Sequence, residues 1–432
     1  MNKARFFSRT ARLPWIMALS VLCGHSAHGE DATLAALDLA DKTEFSPVTS
    51  KKLTMSAEAA TSLNEQRDNR QRISIDLRWD APLTESPSQD WRFVLANRFD
   101  SYFSPALRND SNINSLKEAY LTYKVTPRLL LDAGRVNTRY GLAFGYNPTD
   151  FLGQGTVRSV TSVDPETLRN NRLGNAMLRW QYVWDKGALT AIWSPKLNEN
   201  PNQNSASLDW GASNPRQRML LVGSYQWADN LNPQWLFLQE QGHSPQLGFN
   251  FSRVLSHSTL FYTEWAGGRQ AYRWQTSLPE QQQEIRWRNR LAYGLTWSGE
   301  NQLTLRAEGH YNGSADNRRA LGFVSSLPPD AMAQGKAFIG NASQQAQTGL
   351  MPRRAVLFQA YWKDIVDDYD VNAIWQHDLQ QRRNMGFAEL RRHIGPVDLA
   401  LQWQKIYLVE PSIKEEWVRP ERRWQLSLNY YF

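Results

Sequence analysis

Arg423-Trp424-Gln425-Leu426-Ser427-Leu428-Asn429-Tyr430-Tyr431-Phe432 closes the chain. Trp424, Leu426, Leu428, Tyr430 and Phe432 fall on every second position, with Arg423, Gln425, Ser427, Asn429 and Tyr431 between them. Successive side chains of a strand point to opposite faces, so this stretch reads as a strand with one apolar and one polar face. Its apolar face runs to an aromatic terminal residue.

The same period recurs towards the other end of the chain. Ile73, Ile75, Leu77 and Trp79 alternate with Ser74, Asp76 and Arg78, and Leu303, Leu305 and Ala307 with Thr304, Arg306 and Glu308. About 18 such segments of roughly 8 to 12 residues run from near Leu53 to Phe432, the length a tilted strand needs to cross a bilayer. Short connections centred on Thr126, Asp185, Asp229, Ser256, Gly299 and Gly395 alternate with long ones at 100–114, 136–173, 195–216, 267–283, 312–353 and 406–422. The outer connection near Gly242 breaks the rule by being short, and the inner one at 80–90 by being long. Trp79, Trp91, Tyr123, Tyr182, Trp184, Tyr225, Trp227, Trp235, Trp297 and Trp362 sit at strand ends beside the short turns, where amphipathic rings suit a membrane–water boundary. The expected fold is all-β: a single closed antiparallel transmembrane β-barrel of about 18 strands. The alternation ending in Phe432 resembles the C-terminal assembly signal of Gram-negative outer-membrane β-barrels. That resemblance implies Trp424, Leu426, Leu428, Tyr430 and Phe432 as the signal, with outer-membrane lipid and the barrel assembly machinery as partners.

At the start of the chain, Lys3, Arg5, Arg9 and Arg12 precede an apolar stretch from Leu13 to Gly24 and the small residues Ser26, Ala27 and Gly29. This order reads as a secretory signal over 1–29, too short for a membrane anchor, with cleavage after Gly29 or after Ala27. The remaining organisation is a periplasmic segment over 30–50 and the barrel over 51–432. The only cysteine, Cys23, leaves with the signal, which excludes a disulfide framework and thiolate metal sites. Signal removal also leaves 45 basic against 42 acidic residues, net +3 rather than +7. Charge therefore gives no reason to expect a nucleic-acid partner. A mean hydropathy of −0.58 fits a wall that is apolar on one face only.

Catalytic, cofactor and metal motifs are not found: there is no GxSxG, no Walker A and no pair of histidines at ligand spacing. No enzyme activity and no cofactor are expected. Functional candidates are lumenal. If the apolar face meets lipid, the opposite face presents Arg92, Arg98, Arg179, Arg286, Arg288, Arg290, Arg306, Glu308 and His310 as pore-lining residues. A ladder of arginines favours anions, and the alternative role is to brace the wall through Arg–Glu pairs.

The connection 136–173 holds GLAFGYNPTDFLGQG, followed by Arg158, Asp164, Glu166, Arg169 and Arg172. Loops of this length are uncommon unless functional, and Leu142, Phe144 and Phe151 suit a loop packed inside a barrel. The third outer loop of porins folds inward, so the resemblance implies a constriction carrying Asp150 and Arg158. The Gly-Arg and NPTDF stretches also resemble segments of alginate-export-type barrels, which adds polysaccharide to the candidate cargoes. The expected function is passive passage or export of polar, anionic solutes or polysaccharide. Its alternative is a plugged surface barrel that holds polysaccharide or a partner protein through loop residues such as Trp274 and Trp417.

Overall fold

A computed structural model describes residues 52–65, 69–83, 90–103, 111–153, 155–157, 161–162, 164–197, 207–228, 230–272, 275, 283–315, 352–380, 383–408 and 421–432. In chain order its strands are β1 (Lys52–Asn64), β2 (Asn69–Pro82), β3 (Trp91–Phe103), β4 (Ser111–Thr126), β5 (Leu129–Val136), β6 (Asn175–Trp184), β7 (Gly187–Ser194), β8 (Arg218–Tyr225) and β9 (Gln234–Glu240). There follow β10 (Gln246–Ser256), β11 (Thr259–Gln270), β12 (Arg286–Ser298), β13 (Leu303–Asn312), β14 (Arg354–Val366), β15 (Tyr369–Asp378), β16 (Arg383–Ile394), β17 (Val397–Leu408) and β18 (Glu421–Tyr431). One short helix, α1 (Pro165–Asn170), lies between β5 and β6. The segments 1–29 and 30–50, Arg158, Trp274, Trp417 and most of 312–353 lie outside the described residues.

Each strand pairs antiparallel with its neighbour in sequence, and β1 also pairs with β18, from Ser56↔Tyr431 to Asn64↔Arg423. The eighteen-stranded sheet is therefore closed. No helix among the described residues is long and apolar enough to cross a membrane. In hydrocarbon an unpaired backbone group costs several kcal/mol, so a sheet that crosses must leave no edge.

Parity along each strand sets which side chains face lipid. Trp424, Leu426 and Leu428 are each 45% exposed, whereas Ser427 between them is 4% exposed and faces inward. The expected aromatics gather at the end of the barrel that carries the short turns: Trp91 stacks on Tyr123 at 4.4 Å, and Trp227 lies 5.7 Å from Trp235.

Three features differ from the sequence expectation. Strand lengths run from 7 residues in β9 to 16 in β4, a wider range than 8 to 12. The outer connections at 65–68 and 379–382 are short, like the one at Gly242. The inner face is also not polar throughout, because part of it is covered by the β5–β6 connection. Leu220, Val222, Leu236 and Leu238 point into the lumen and are buried with Phe151 and Leu152.

The short strands have a visible companion on the outer face. Arg135 shares a face with Ala133 and Leu178 yet is 0% exposed. Its guanidinium donates to the carbonyls of Leu116 (3.0 Å), Leu208 (3.1 Å), Asp209 and Trp210 (2.6 Å). Part of the β7–β8 connection thus wraps the outside of the wall there and satisfies a charge that lipid could not.

Candidate functional site

The β5–β6 connection enters the lumen because the wall offers acceptors for its backbone. Glu264 on β11 accepts the N–H groups of Leu142 and, at 2.6 Å, Ala143. Glu308 on β13 accepts those of Phe144 (2.5 Å) and Gly145 (2.8 Å). Four successive amides are held by two carboxylates. Hydrogen bonds to charged groups contribute roughly 1.5–3 kcal/mol each, about twice a neutral one. Tyr262 also donates its hydroxyl to Glu308, and His310 Nε2 lies 2.8 Å from the second Glu308 oxygen.

Only glycine fits at the edges of this clamp. A Cβ on Gly141, where φ is +85°, would lie 2.5 Å from the Glu264 carboxylate. On Gly145 it would lie 2.5 Å from Leu357 and 2.8 Å from His310.

Arginines hold the carbonyl side of the same stretch. Arg169, on α1, donates to Ala143 O at 2.6 Å and to Phe144 O, and Arg139 donates to Ala143 O at 3.0 Å. Arg306, on β13, lies over the Phe144 ring at 4.4 Å. The helix starts at Pro165 and is capped by Asp164, which accepts from the Thr167 amide at 3.2 Å. Proline at a first helical position needs no hydrogen-bond partner for a missing N–H, so the turn can begin abruptly. Just before the helix, Thr161 O accepts from Gln425 on β18 at 3.1 Å. The connection therefore leaves β5, grips β11 and β13, touches β18 and returns to β6.

Charge is unevenly shared across this constriction. Among the described residues, Arg139, Arg169, Arg290 and Arg306 have no carboxylate at ion-pair distance, although Glu264 and Asp150 answer Arg139, Glu308 and Asp150 answer Arg169, and Glu308 answers Arg306 from further away. Asp164 and Glu166 are the acids at the start of α1, the helix that also carries Arg169. Burial, and then Asp164, push Glu166 above the usual carboxylate range, while Arg306, Arg169 and Arg139 pull it back. Burial likewise raises Asp164, with its capping hydrogen bonds to Thr167 opposing.

The structure separates the expected pore-lining residues into groups. Arg92 is bound to Asp80 (2.7 Å), Arg98 to Glu58 (2.8 Å) and Asp100 (2.9 Å), and Arg179 to Asp132 (2.7 Å). Glu308 and His310 belong to the clamp. Arg286 is exposed at the outer rim beside Glu284 at 2.7 Å, and so stands apart from the lumenal wall. Arg288 lies 3.5 Å over the Tyr272 ring and donates to Gln270 O and Glu284 O. Arg290 donates to Gln246 Oε1 at 2.6 Å and Arg306 to Gln359 Oε1 at 2.8 Å, both neutral partners, and the charges of Glu308 and Glu166 reach Arg306 without a hydrogen bond to it. Asp150 pairs with Arg172, which ties the loop to itself.

Glu264 and Arg139 were not singled out in the sequence. A signal for Glu264 existed: it is an acid on the polar parity of β11, opposite a predicted lipid face. Nothing local marked Arg139.

No protein-family model and no curated sequence matches the chain. Solved structures do. Pseudomonas aeruginosa OccK11 (OpdR) is 8% identical, covering 88% of this chain and 96% of its own, with a TM-score of 0.54. The P. aeruginosa OccK5 (OpdH) structure is 9% identical over 89% of this chain and 98% of its own, with a TM-score of 0.53. The fold is that of a Gram-negative outer-membrane, porin-like barrel. Acinetobacter baumannii OccAB1 repeats the porin-like likeness at 9% identity, 88% and 96% coverage, and a TM-score of 0.51. At these identities what is shared is architecture, and the lumenal residues of this chain must be read on their own.

Proposed function

We propose that this chain is an outer-membrane channel for small polar solutes with a preference for anions. The observation that carries the reading is the connection strung across the lumen, lined by Arg139, Arg169, Arg290 and Arg306, whose described hydrogen-bond partners are neutral. Lumenal cations lower the barrier for anions, and Asp164 and Glu166 in the same connection offset part of that charge.

Two recesses lie beside the loop. One is formed by Thr161, Ser162 and the amide-rich wall of Gln402, Gln404 and Gln425. The other lies beneath Leu142 and is lined by Arg306 and Tyr262. A polysaccharide would need the clamped stretch to leave the lumen, so polymer export is the less favoured cargo.

The test is reconstitution of the mature protein in planar bilayers under a potassium chloride gradient. Discrete conductance steps with a reversal potential of anion-selective sign are expected. Absence of conductance, or cation selectivity, would contradict the proposal.

A further inference from the structure

The lipid-facing side of the barrel carries a second charge arrangement, remote from the lumen. Register places Lys405 on β17 directly opposite Arg422 on β18, and both share the outer parity of Trp403 and Trp424. Trp403 and Trp424 lie one step nearer the membrane centre, with ring centroids 6.4 Å apart. From Val397 to Lys405 a tilted strand climbs about 20 Å, which puts the two cations near the outer border of an apolar band about 25 Å tall.

Like charges directly across a strand pair are destabilising, and facing hydrocarbon they are more so. The described compensation is partial. Glu65 lies 3.5 Å from Arg422, and Lys405 stands over the Tyr407 ring at 5.4 Å with no acid among the described residues at ion-pair distance. The next residue in the same row is Gly386, and beyond it Trp375. Gly386 has no side chain to fill the row, and a Cβ there would already lie 3.3 Å from the Trp403 ring. The row is thus notched at Gly386, with the Trp403 indole against the glycine, Trp375 next in the row on one side and the two cations on the other, Lys405 in turn beside Tyr407.

We propose that this notch binds the phosphate-bearing headgroup of an outer-leaflet lipid. Lys405 and Arg422 would hold the phosphate, and the aromatic walls the adjoining apolar part of the lipid. Charge complementarity and the position at the membrane border select this occupant over a peptide or a second barrel. The inference rests on the barrel's seat in a membrane and not on what passes through it.

The test is native mass spectrometry of the full barrel in detergent with added phosphatidic acid or phosphatidylcholine. The wild type should retain phosphatidic acid at least tenfold better. The double variant Lys405→Gln/Arg422→Gln should lose that retention by about thirtyfold, the factor expected for two cations near a membrane surface. Replacing Arg253, a cation on the outer face at the turn end of β10, should change nothing. Resistance of each variant to SDS before boiling reports that the barrel has formed. Equal retention of the two lipids, or a double variant that binds phosphatidic acid as the wild type does, would overturn the proposal. So would displacement by inorganic phosphate at the lipid's own concentration, since the site would then be one for free anions. Bilayer conductance is read separately, so failure here leaves the channel reading standing.

Discussion

At Gly141 a positive φ and a carboxylate 2.5 Å from where a Cβ would stand act together. Gly141→Ala must strain the backbone and push against Glu264, at a cost of about 1–3 kcal/mol. The variant should unfold at a lower temperature than the wild type and show noisier single-channel currents. An unchanged melting midpoint would mean the loop backbone does not sit against Glu264. Glu264 and Glu308 are also where sequence reading reached its limit. Parity shows that an acid on β11 or β13 faces inward. It does not show whether that acid meets an arginine on the next strand or the amides of a loop that is 122 or 164 residues away.

At the level of elements, the connection between β5 and β6 is held mainly by its two carboxylate anchors, with apolar packing beneath. Replacing both Glu264 and Glu308 by alanine should raise mean conductance severalfold, because four backbone amides lose their acceptors at once. Conductance equal to that of the wild type would place the constriction elsewhere. A pH effect follows from Asp164 and Glu166. Asp164 and Glu166 are both shifted upward by burial, so they neutralise at a higher pH than ordinary carboxylates, while the arginines stay charged. Anion preference should therefore grow as pH falls from 7 towards 5, measured as a shift in reversal potential. Glu166→Gln should show the more anion-selective potential already at pH 7. The strands themselves were readable because a residue's face depends only on whether its position is odd or even. Whether Arg98 is a brace or a selectivity residue depends on Glu58, 40 positions earlier, and no local pattern carries that information.

Seen as a whole molecule, the barrel closes where its last strand meets its first. Phe432 donates its amide to Met55 O at 3.0 Å, and its ring stands 69% exposed on the outer face beside Tyr430. Removing Phe432 should lower the yield of heat-modifiable barrel in the outer membrane severalfold while leaving export across the inner membrane unchanged. Equal yield would separate the terminal alternation from assembly. The proposed channel depends on the connection that crosses the lumen, and the single cysteine at position 23, within the expected signal, makes that crossing directly testable. Thr161 and Gln425 meet at 3.1 Å, 264 residues apart in sequence and five strands around the wall from the loop's root in β5. With both replaced by cysteine, a short bifunctional thiol reagent should join them in intact outer membranes and change the protein's migration on a gel. A double variant that reacts at each cysteine singly but never forms the link would mean that the loop lies outside the barrel, and the constriction would not exist.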